Sequence, residues 1–388
     1  MELAIQKYLR SGKSPEDLKE ELAIKFRSHK IYPNLLSFKY HQLDSPSGHP
    51  VVRESRGIIL DSENNWAIVS YPFNRFFNSY SGLADKVDWA SAKILEKYDG
   101  SLIHITRYKN QLNVAGSGSP DASGTIIGSN DPHVIHKNAT EASETWNCNG
   151  QILPIPQTFA EYFWQVLNLY CSREKLEQII PDNTTLIFEI MGPLNRIVIP
   201  CPQAKLVFLG ARNLENNQEL LVENVLQDSL KDLFPIPKSF DLQDMNDIIR
   251  SFDNMSGLHQ EGYVVVDKNF NRIKIKNPGY CAIHSAKAKL SVNAFIEIAR
   301  RGECTEIIQM FPEYKSIINS YRLRFESLIN KVQEDYNKLK HIQNQKEFAL
   351  AAKKTRCASA LFTTRRNKCD SVKNYFMDIK INSLINLL

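Results

Sequence analysis

Residues 97–108 read KYDGSLIHITRY, and the rest of the 388-residue chain is best understood outward from this stretch. Its apolar part, SLIHITRY, is rich in β-branched and aromatic residues, which favour strands. The polar KNQ (109–111) and the apolar QLNVAG (111–116) follow it. The sequence therefore predicts a hairpin, with a lysine and an Asp-Gly pair immediately before its first strand.

Lys97 and Asp99-Gly100 have two interpretations. Asp-Gly is common in hairpins, so the motif is compatible with a solvated turn. The alternative is that Lys97 is a nucleophile. A free lysine has a pKa of about 10.4, so it must lose a proton before it can attack phosphorus. Burial and neighbouring cations, including a metal ion, lower the pKa of a lysine and so favour that loss.

Further strands are predicted on both sides of this hairpin, across residues 35–285. These segments are short, β-branched or aromatic, and bounded by turn residues: TTLIFEI (184–190), RIVIP (196–200), KLVFLGA (205–211), EGYVVVD (261–267) and NRIKIK (271–276). KNFN (268–271) predicts a second hairpin. Helical patterns interrupt the strands at 158–177 and 219–233, and the polar stretch 116–156 predicts loops over a weakly structured insertion.

The two ends of the chain are predicted to be helical. The first 30 residues contain Ser14-Pro15, a cap followed by proline in the first turn. After His284, apolar residues recur at steps of three and four, from Ile318 to Ile342 in particular. We therefore expect an α+β domain at 1–284, with antiparallel sheets and flanking helices, and an all-helical domain at 285–388.

Charge divides the chain at the same place. Residues 285–388 carry 19 Lys and Arg against 10 Asp and Glu, whereas the remainder carries 29 against 33. A basic domain joined to a mildly acidic one suggests a polyanionic partner, although a solvated helical surface explains the charge equally well. The clusters 353–356 and 365–368 could contact RNA phosphates in the same sense.

Several classes of protein are not expected. No run of eighteen apolar residues occurs, and the N-terminus is too polar for a signal peptide. The seven cysteines are scattered and never spaced as CxxC, which favours reduced thiols in a cytoplasm. His133 and His136, with Cys148 downstream, were weighed as metal ligands, but they lie in a polar loop without a fourth partner.

Charged residues also interrupt the predicted apolar strands, where a charge is costly unless it has a purpose. A single one is readily explained as an edge charge facing water. The complete ordered set is harder to explain in that way, and it consists of Arg56, Lys97-x-Asp99-Gly100, Glu189, Glu261 and the alternating pair Lys274 and Lys276. The alternation places both of these lysines on one face of a strand.

This ordered set resembles the covalent nucleotidyltransferases, the superfamily of ligases and mRNA capping enzymes. In detail it resembles the family of bacteriophage T4 RNA ligase 1, over about Ser37–Lys289. The blocks that carry the resemblance are ESRGIIL (54–60), FNRFFN (73–78), KYDGSL (97–102), FEIMGPLNRIVIP (188–200), EGYVVV (261–266) and IKIKNPGYCAIHSAK (273–287). The resemblance implies a nucleotidyltransferase domain of the ATP-grasp-like ligase type and the activity of an ATP-dependent RNA ligase.

The resemblance also implies roles for individual residues. Lys97 would take AMP from ATP, while Asp99, Glu189 and Glu261 would serve a Mg²⁺ ion, which Mn²⁺ could replace, or its water shell. The residues expected to bind ATP are Phe38, Arg56, Arg75, Lys97, Gly100, Glu189, Lys274 and Lys276, and Phe77 and Tyr280 are expected to be essential as well.

The resemblance implies an RNA partner with 5′-phosphate and 3′-hydroxyl ends, such as a cleaved tRNA, and a monomeric enzyme active in RNA or tRNA repair. Arg75 stands where the family has lysine, and the two side chains are not equivalent. Tyr98 replaces an acidic residue, and Phe38 lacks a tyrosine hydroxyl. Ser117 and Ser119 fall where the family has Lys-Gly-Ser, and here the lysine is absent.

Two alternatives remain open. A DNA ligase or capping guanylyltransferase would usually continue into an oligonucleotide-binding barrel, whereas this chain continues into helices. A non-catalytic RNA-binding protein could retain the fold, but such decay is usually marked by the loss of one of the charged residues, and all are present.

Overall fold

The computed structural model describes residues 2–126, 145–220, 233–311, 314–366 and 371–388. These residues form two compact units: one extends to Ser285, and the other is Ala286–Leu388. No helix in these ranges has the length and apolar character that a membrane span requires. His133 and His136 lie outside the described residues.

The first unit contains most of the strands, and the order of the strands in its sheets places the functional residues. Their bounds are β1 Ile24–Ser28, β2 Leu35–Tyr40, β3 Arg56–Asp61, β4 Ala67–Ser70, β5 Phe77–Asn78, β6 Lys93–Glu96, β7 Ser101–Tyr108, β8 Gln111–Gly116, β9 Thr145–Cys148, β10 Gln151–Pro154, β11 Thr184–Met191, β12 Lys205–Asn213, β13 Glu219–Leu220, β14 Ser239–Phe240, β15 Gly262–Val266 and β16 Arg272–Lys276.

The first unit is built mainly from three β-sheets. The N-terminal sheet has the order β1-β2-β3-β4, the central sheet β13-β12-β11-β7-β8, and the lysine sheet β14-β6-β15-β16-β5. All pairs are antiparallel except β16 with β5, which is parallel. The separate pair β10-β9 completes the described strands. The predicted α+β class with antiparallel sheets is therefore confirmed, with one parallel pair added.

The helices of the described residues pack on these sheets or form the second unit. Their bounds are α1 Ala4–Arg10, α2 Pro15–Leu22, α3 Pro50–Glu54, α4 Phe159–Leu167, α5 Arg173–Ile179, α6 Met245–Ser251, α7 Pro278–Ala288, α8 Val292–Arg301, α9 Cys304–Met310, α10 Lys315–Leu339, α11 Gln345–Ala352, α12 Ala358–Arg365, α13 Val372–Asp378 and α14 Ile381–Ile385.

Local sequence explains several boundaries. The backbone N–H of Asp17 donates to the Ser14 hydroxyl, and Pro15 occupies the first turn, so α2 begins where the cap predicts. The predicted hairpin 101–116 forms with Tyr108 opposite Gln111. Lys109 and Asn110, its two turn residues, have φ of 47° and 59°. This is the left-handed conformation of a type I′ turn, which matches the twist of the strands.

Separate apolar cores hold the parts together. One lies between the central sheet and α4 and α5 and includes Phe163, Phe188 and Phe208. A second joins α1 and α2 to the N-terminal sheet, and a third supports the lysine sheet. The second unit has its own core, which includes Phe325, Phe348 and Phe376.

Some predictions of secondary structure are wrong. RIVIP (196–200) is a loop, because backbone N–H groups in it bind a carboxylate rather than a neighbouring strand. Residues 24–28 form β1, where a helix was expected, because Ile24 and Phe26 alternate with polar residues toward the core beneath β2. Glu219–Leu220 is a strand, and 221–232 lie outside the described residues. Within 116–156, β9 and β10 form a hairpin where loops were expected.

Candidate active site around Lys97

Lys97 follows β6, and its backbone is fixed on β15, since its N–H donates to the carbonyl of Gly262 at 2.9 Å. The Lys97 amine, Nζ, lies 2.7 Å from Oε2 of Glu261. The other oxygen of this carboxylate, Oε1, lies 2.8 Å from Nζ of Lys276. The Glu261 side chain is only 4% exposed. The two lysines thus share one buried carboxylate, although they are far apart in sequence.

Asp99 is held by a different set of donors. The hydroxyl of Tyr280 donates to its Oδ1 at 2.6 Å, and the backbone N–H groups of Val198 and Ile199 donate to its Oδ2 at 2.8 and 2.7 Å. Burial is the main reason that the pKa of Tyr280 is raised, with Glu261 and Asp99 adding to it. Asp99 therefore ties the lysine motif to the 196–200 loop and to α7.

Glu189 lies on β11, opposite Leu102 of β7. Burial raises the pKa of Glu189 to about 7, against the opposing influence of Lys97 and Arg56. A β-carbon on Gly100 would lie 2.5 Å from the carbonyl oxygen of Ile190 and 3.0 Å from Cγ of Glu189. Glycine is therefore required where the lysine motif passes β11, and this close approach brings Glu189 toward Lys97.

Lys274 and Lys276 lie on one face of β16, as the alternation predicts, while Ile273 and Ile275 enter the core on the other face. Burial lowers the pKa of Lys274 to about 8, and the nearby cations Arg56, Lys97 and Lys276 lower it further. The structure therefore concentrates positive charge around the Lys97 amine.

Arg56 opens β3 and lies with its guanidinium carbon 5.0 Å from the ring centre of Phe76. Its Nη1 is buried and makes no hydrogen bond with the described residues. Burial lowers the pKa of Arg56, while Tyr40 and Glu189 oppose this effect. A buried guanidinium nitrogen without a partner is costly, so this group is placed to receive an anion.

Arg75 is only 8% exposed and is stacked between two rings, 4.1 Å from the centre of Tyr40 and 5.2 Å from that of Phe77. Its Nη1 also lacks a hydrogen bond to the described residues. It lines a pocket with Arg53 and Arg272 rather than the cleft that contains Lys97. Phe77, the second of these rings, is itself buried.

Phe38 is a correction to the expected site. It is completely buried and packs against Phe26 and Trp66 in the core of the N-terminal sheet. The reason is the alternation of side chains along β2, which sends Phe38 inward and places Ser37 and Lys39 on the opposite face. The pairing of β2 with β3 shifts by one residue between Phe38 and Lys39, and Tyr40, after this irregularity, lines the cleft.

A cleft of about 820 Å³ contains Lys97. Arg56, Lys97, Gly100 and Glu189 line one part of it, and the remaining lining includes Lys25, Arg27, Ser37, Lys39, Tyr40, Ser117, Gly118 and Ser119. Sequence reasoning did not select Lys25, Arg27, Lys39 or Tyr40. The only signal for the three cations was the alternation of charged and apolar residues in IKFRS and LLSFKY.

The carboxylates do not form a metal cluster. Among the described residues, no group of three His, Cys, Asp or Glu side chains could hold an ion. Asp99 is fully engaged by Tyr280 and two backbone N–H groups, and Glu261 by two lysines. Direct ligation by Asp99, Glu189 and Glu261 together therefore does not fit this arrangement. Cys148, the third residue considered as a metal ligand, lies in an apolar core.

Comparison with known proteins assigns this site to a family. The family model described as RNA ligase, of the T4 RNA ligase 1 type, matches residues 54–280. This match spans β3 to the first turn of α7, and so includes Arg56, Lys97, Glu189, Glu261 and Tyr280. The chain belongs to this RNA ligase family.

Two relatives extend the comparison. A protein of Autographa californica nuclear polyhedrosis virus, named as a bifunctional polynucleotide kinase/RNA ligase, is 25% identical over an alignment of 333 positions that covers 82% of this chain and 43% of that protein. An RNA ligase of Rhodothermus phage RM378 is 21% identical over a gapped alignment of 402 positions that covers 87% of this chain and 84% of that protein. The chain thus spans less than half of the first relative and most of the second.

Solved structures of similar proteins include an archaeal ATP-dependent RNA ligase, with a TM-score of 0.41 and 12% identity over 94% of this chain and 81% of that one. They also include an RNA ligase variant of Naegleria gruberi solved with ATP and Mn, with a TM-score of 0.34 and 13% identity over 50% and 52% of the two chains. The family assignment rests on the family model and not on these weak structural likenesses.

Proposed function

We propose that this protein is an ATP-dependent RNA ligase that joins 5′-phosphate and 3′-hydroxyl ends through a covalent lysyl-AMP on Lys97. One observation carries the proposal. The Lys97 amine lies 2.7 Å from the buried Glu261, within a site that also gathers Lys276, Glu189 and Arg56 from distant strands. Membership of the RNA ligase family supports the same reaction.

In the proposed first step, Nζ of Lys97 attacks the α-phosphorus of ATP, a P–N bond forms, and pyrophosphate leaves. Glu261 is the carboxylate within reach of the ammonium proton, and its hydrogen bond to Lys276 holds it in place. Lys274, Lys276 and Arg56 offset the charge on the phosphate oxygens. Gly100 lets the lysine motif pass close against β11, which places the backbone of the motif beside Glu189, where the ribose is proposed to bind.

A bound Mg²⁺ or Mn²⁺ would add charge neutralisation at the phosphate oxygens. Both oxygens of Asp99 and of Glu261 already have protein partners, so these two carboxylates and Glu189 are proposed to face such an ion through water and the triphosphate. Arg75, which contacts Phe77 and lines a separate pocket with Arg53 and Arg272, is proposed to act from there on the nucleotide phosphates or the RNA end, and Tyr280 is proposed to fix Asp99.

Two further transfers complete the proposed reaction. AMP moves from Lys97 to the 5′-phosphate of the RNA, and the 3′-hydroxyl of the other end then displaces AMP to form the phosphodiester. Both transfers require in-line positioning more than new chemical groups, which fits a site made mostly of fixed cations. A broken RNA such as a cleaved tRNA is the proposed substrate, acted on by a cytoplasmic monomer.

The helical unit Ala286–Leu388 is proposed to select the RNA. It has its own apolar core and most of the excess positive charge. Removal of residues from 290 onward is expected to spare lysyl-AMP formation but to lower sealing of RNA ends. Equal loss of both activities would contradict a role in substrate selection.

The test of the proposed function is covalent labelling. The full chain is incubated with Mg²⁺ and α-labelled ATP or GTP, and the label that survives denaturation is counted. Label from ATP, absent in Lys97→Ala and present in Lys93→Ala, supports the proposal, because Lys93 is an exposed lysine at the start of β6, the strand that Lys97 follows. Label from GTP alone would favour a capping enzyme, and no label under either condition would favour a binding protein.

A further inference from the structure

The N-terminal sheet presents a row of cations to the cleft. In the register of the sheet, Lys25 of β1 lies opposite Lys39 of β2, and Lys39 lies opposite Arg56 of β3. Arg27 is two residues along β1 from Lys25, on the same face. All four residues line the cleft that contains Lys97. We call Lys25, Arg27 and Lys39 the cationic row.

Such an arrangement opposes folding. Like charges directly opposite each other on neighbouring strands are destabilising. The structure does not compensate for this, since none of the three forms an ion pair with a carboxylate in the described parts of the chain. Within the described ranges, the hydrogen-bond partner of the Lys39 amine is the Ser117 hydroxyl, at 3.3 Å. Burial lowers the pKa of Lys39, and Arg27, Arg56 and Lys25 add to this effect.

The direction of the row distinguishes it from the nucleotide site. Arg56, Lys97, Lys274 and Lys276 already surround the reactive end, where the triphosphate is proposed to bind. From Arg56 the row leads away from that end to β1, the edge strand of its sheet, where Lys25 and Arg27 are exposed. Together with Arg56 at its inner end, the row crosses three strands at a spacing of about 4.8 Å and spans about 10 Å.

We infer that the cationic row binds the backbone phosphates of the RNA strand as it leads away from the reactive end. This inference rests on the proposed ligase function. A stacked strand carries one phosphate per roughly 3.4 Å, so a row of about 10 Å faces about three phosphates. The Ser117 hydroxyl and the backbone around Gly118 supply uncharged partners beside Lys39. The contacts are to phosphate and therefore independent of base sequence.

The experiment measures binding without catalysis. The full chain, without ATP, is titrated into a fluorescent 5′-phosphorylated single-stranded RNA, and anisotropy gives Kd at 50–200 mM KCl. The variant Lys25→Ala/Arg27→Ala/Lys39→Ala is compared with Lys86→Ala/Lys175→Ala, which removes two exposed cations outside the cleft. Tryptophan fluorescence during urea unfolding checks that both variants are folded.

The cleft variant is expected to weaken binding at 50 mM KCl by about tenfold. It should also reduce the slope of log K against log [salt] by about 2, because each lost phosphate contact on a single strand lowers that slope by about 0.7. The control should change Kd by less than about twofold. The charge-retaining Lys25→Arg/Arg27→Lys/Lys39→Arg should restore most of the binding. An equal loss in the control, or no loss in the cleft variant, overturns the inference.

A second measurement separates RNA from the triphosphate. If the cationic row binds the β- and γ-phosphates of ATP, the cleft variant will raise the KM for ATP in lysyl-AMP formation and leave RNA affinity unchanged, which overturns the inference. If the protein forms no lysyl-AMP at all, the proposed function fails, yet loss of RNA affinity in the cleft variant alone still supports the row as an RNA site.

Discussion

Glu189→Gln is the change whose consequence the structure specifies most fully. Glu189 is half-buried beside Lys97 and Arg56, and burial raises its pKa from 4.5 to about 7. The folded protein therefore binds this proton more tightly than the unfolded chain does. Tighter binding of this proton stabilises the folded protein fully below about pH 4.5. The stabilisation is lost as the pH rises to about 7, because the Glu189 carboxylate must then ionise where it is poorly solvated.

The magnitude follows from the pKa. A tenfold change in proton affinity is worth about 1.4 kcal/mol, so a rise from 4.5 to about 7 corresponds to about 3 kcal/mol. Glutamine is neutral throughout. We therefore consider the difference between the free energies of unfolding of the wild type and of Glu189→Gln. This difference should fall by up to about 3 kcal/mol between pH 4.5 and 7 and remain level above pH 8.

Urea unfolding, followed by tryptophan fluorescence, measures this difference. All tryptophans of the chain, Trp66, Trp89, Trp146 and Trp164, lie in the first unit, so the signal reports the unit that contains Glu189. The exposed Glu20→Gln serves as a matched control for removing a carboxylate. A difference between wild type and Glu189→Gln that does not vary with pH would refute the reasoning, because Glu189 would then not be held in its protonated form by burial.

Three other changes test the remaining parts of the site. Tyr280→Phe removes a donor 2.6 Å from the buried Asp99 and should lower the free energy of unfolding by about 1.5–3 kcal/mol and slow lysyl-AMP formation. Because the pKa of Lys274 is about 8, its charge is lost as the pH rises above 8, and the KM for ATP should rise more steeply from pH 7 to 9 in the wild type than in Lys274→Arg, whose guanidinium remains charged. Gly100→Ala places a methyl group 2.5 Å from the carbonyl oxygen of Ile190 and should cost about 1–3 kcal/mol of stability together with most of the lysyl-AMP formation.

Each of these changes has a matched control. Tyr32→Phe removes a hydroxyl that donates to the exposed Gln111, and Gly82→Ala adds a methyl group that meets nothing within 4 Å. An effect of Tyr280→Phe or Gly100→Ala no larger than that of its control contradicts the role given to the hydrogen bond or to the close approach. For Lys274, parallel pH profiles in the wild type and the arginine variant would show that its charge does not titrate in this range.

Local patterns in the sequence were sufficient for much of the fold. The hairpins at 101–116 and 262–276 follow from β-branched runs interrupted by short polar turns, which specify their own register. The helices of the second unit follow from the spacing of apolar residues, as in α10, which covers most of the predicted 318–342. Both signals are local, so they are readable without knowing what packs against them.

Where a segment's partner lies far along the chain, the same patterns were misleading. RIVIP has the composition of a strand, but the backbone N–H groups of Val198 and Ile199 bind Asp99, about a hundred residues earlier. Phe38 was expected near the nucleotide because the family has an aromatic residue at that position, whereas the pleat of β2 buries Phe38 and places Lys39 on the opposite face. The first outcome is not encoded in the nearby residues, whereas the second follows from the alternation in LLSFKY once β2 is recognised as a strand.

By itself, the sequence determined the identity of the chemical groups: a lysine before a strand, acids and bases in a fixed order, and the family to which that order belongs. Only the tertiary structure decided their geometry. It placed Lys97 and Lys276 on the two oxygens of Glu261, left Asp99 with no free oxygen, and aligned Lys25, Lys39 and Arg56 across three strands. The physical reason is that strand order and register bring together residues more than a hundred positions apart, and no local pattern specifies which strands become neighbours.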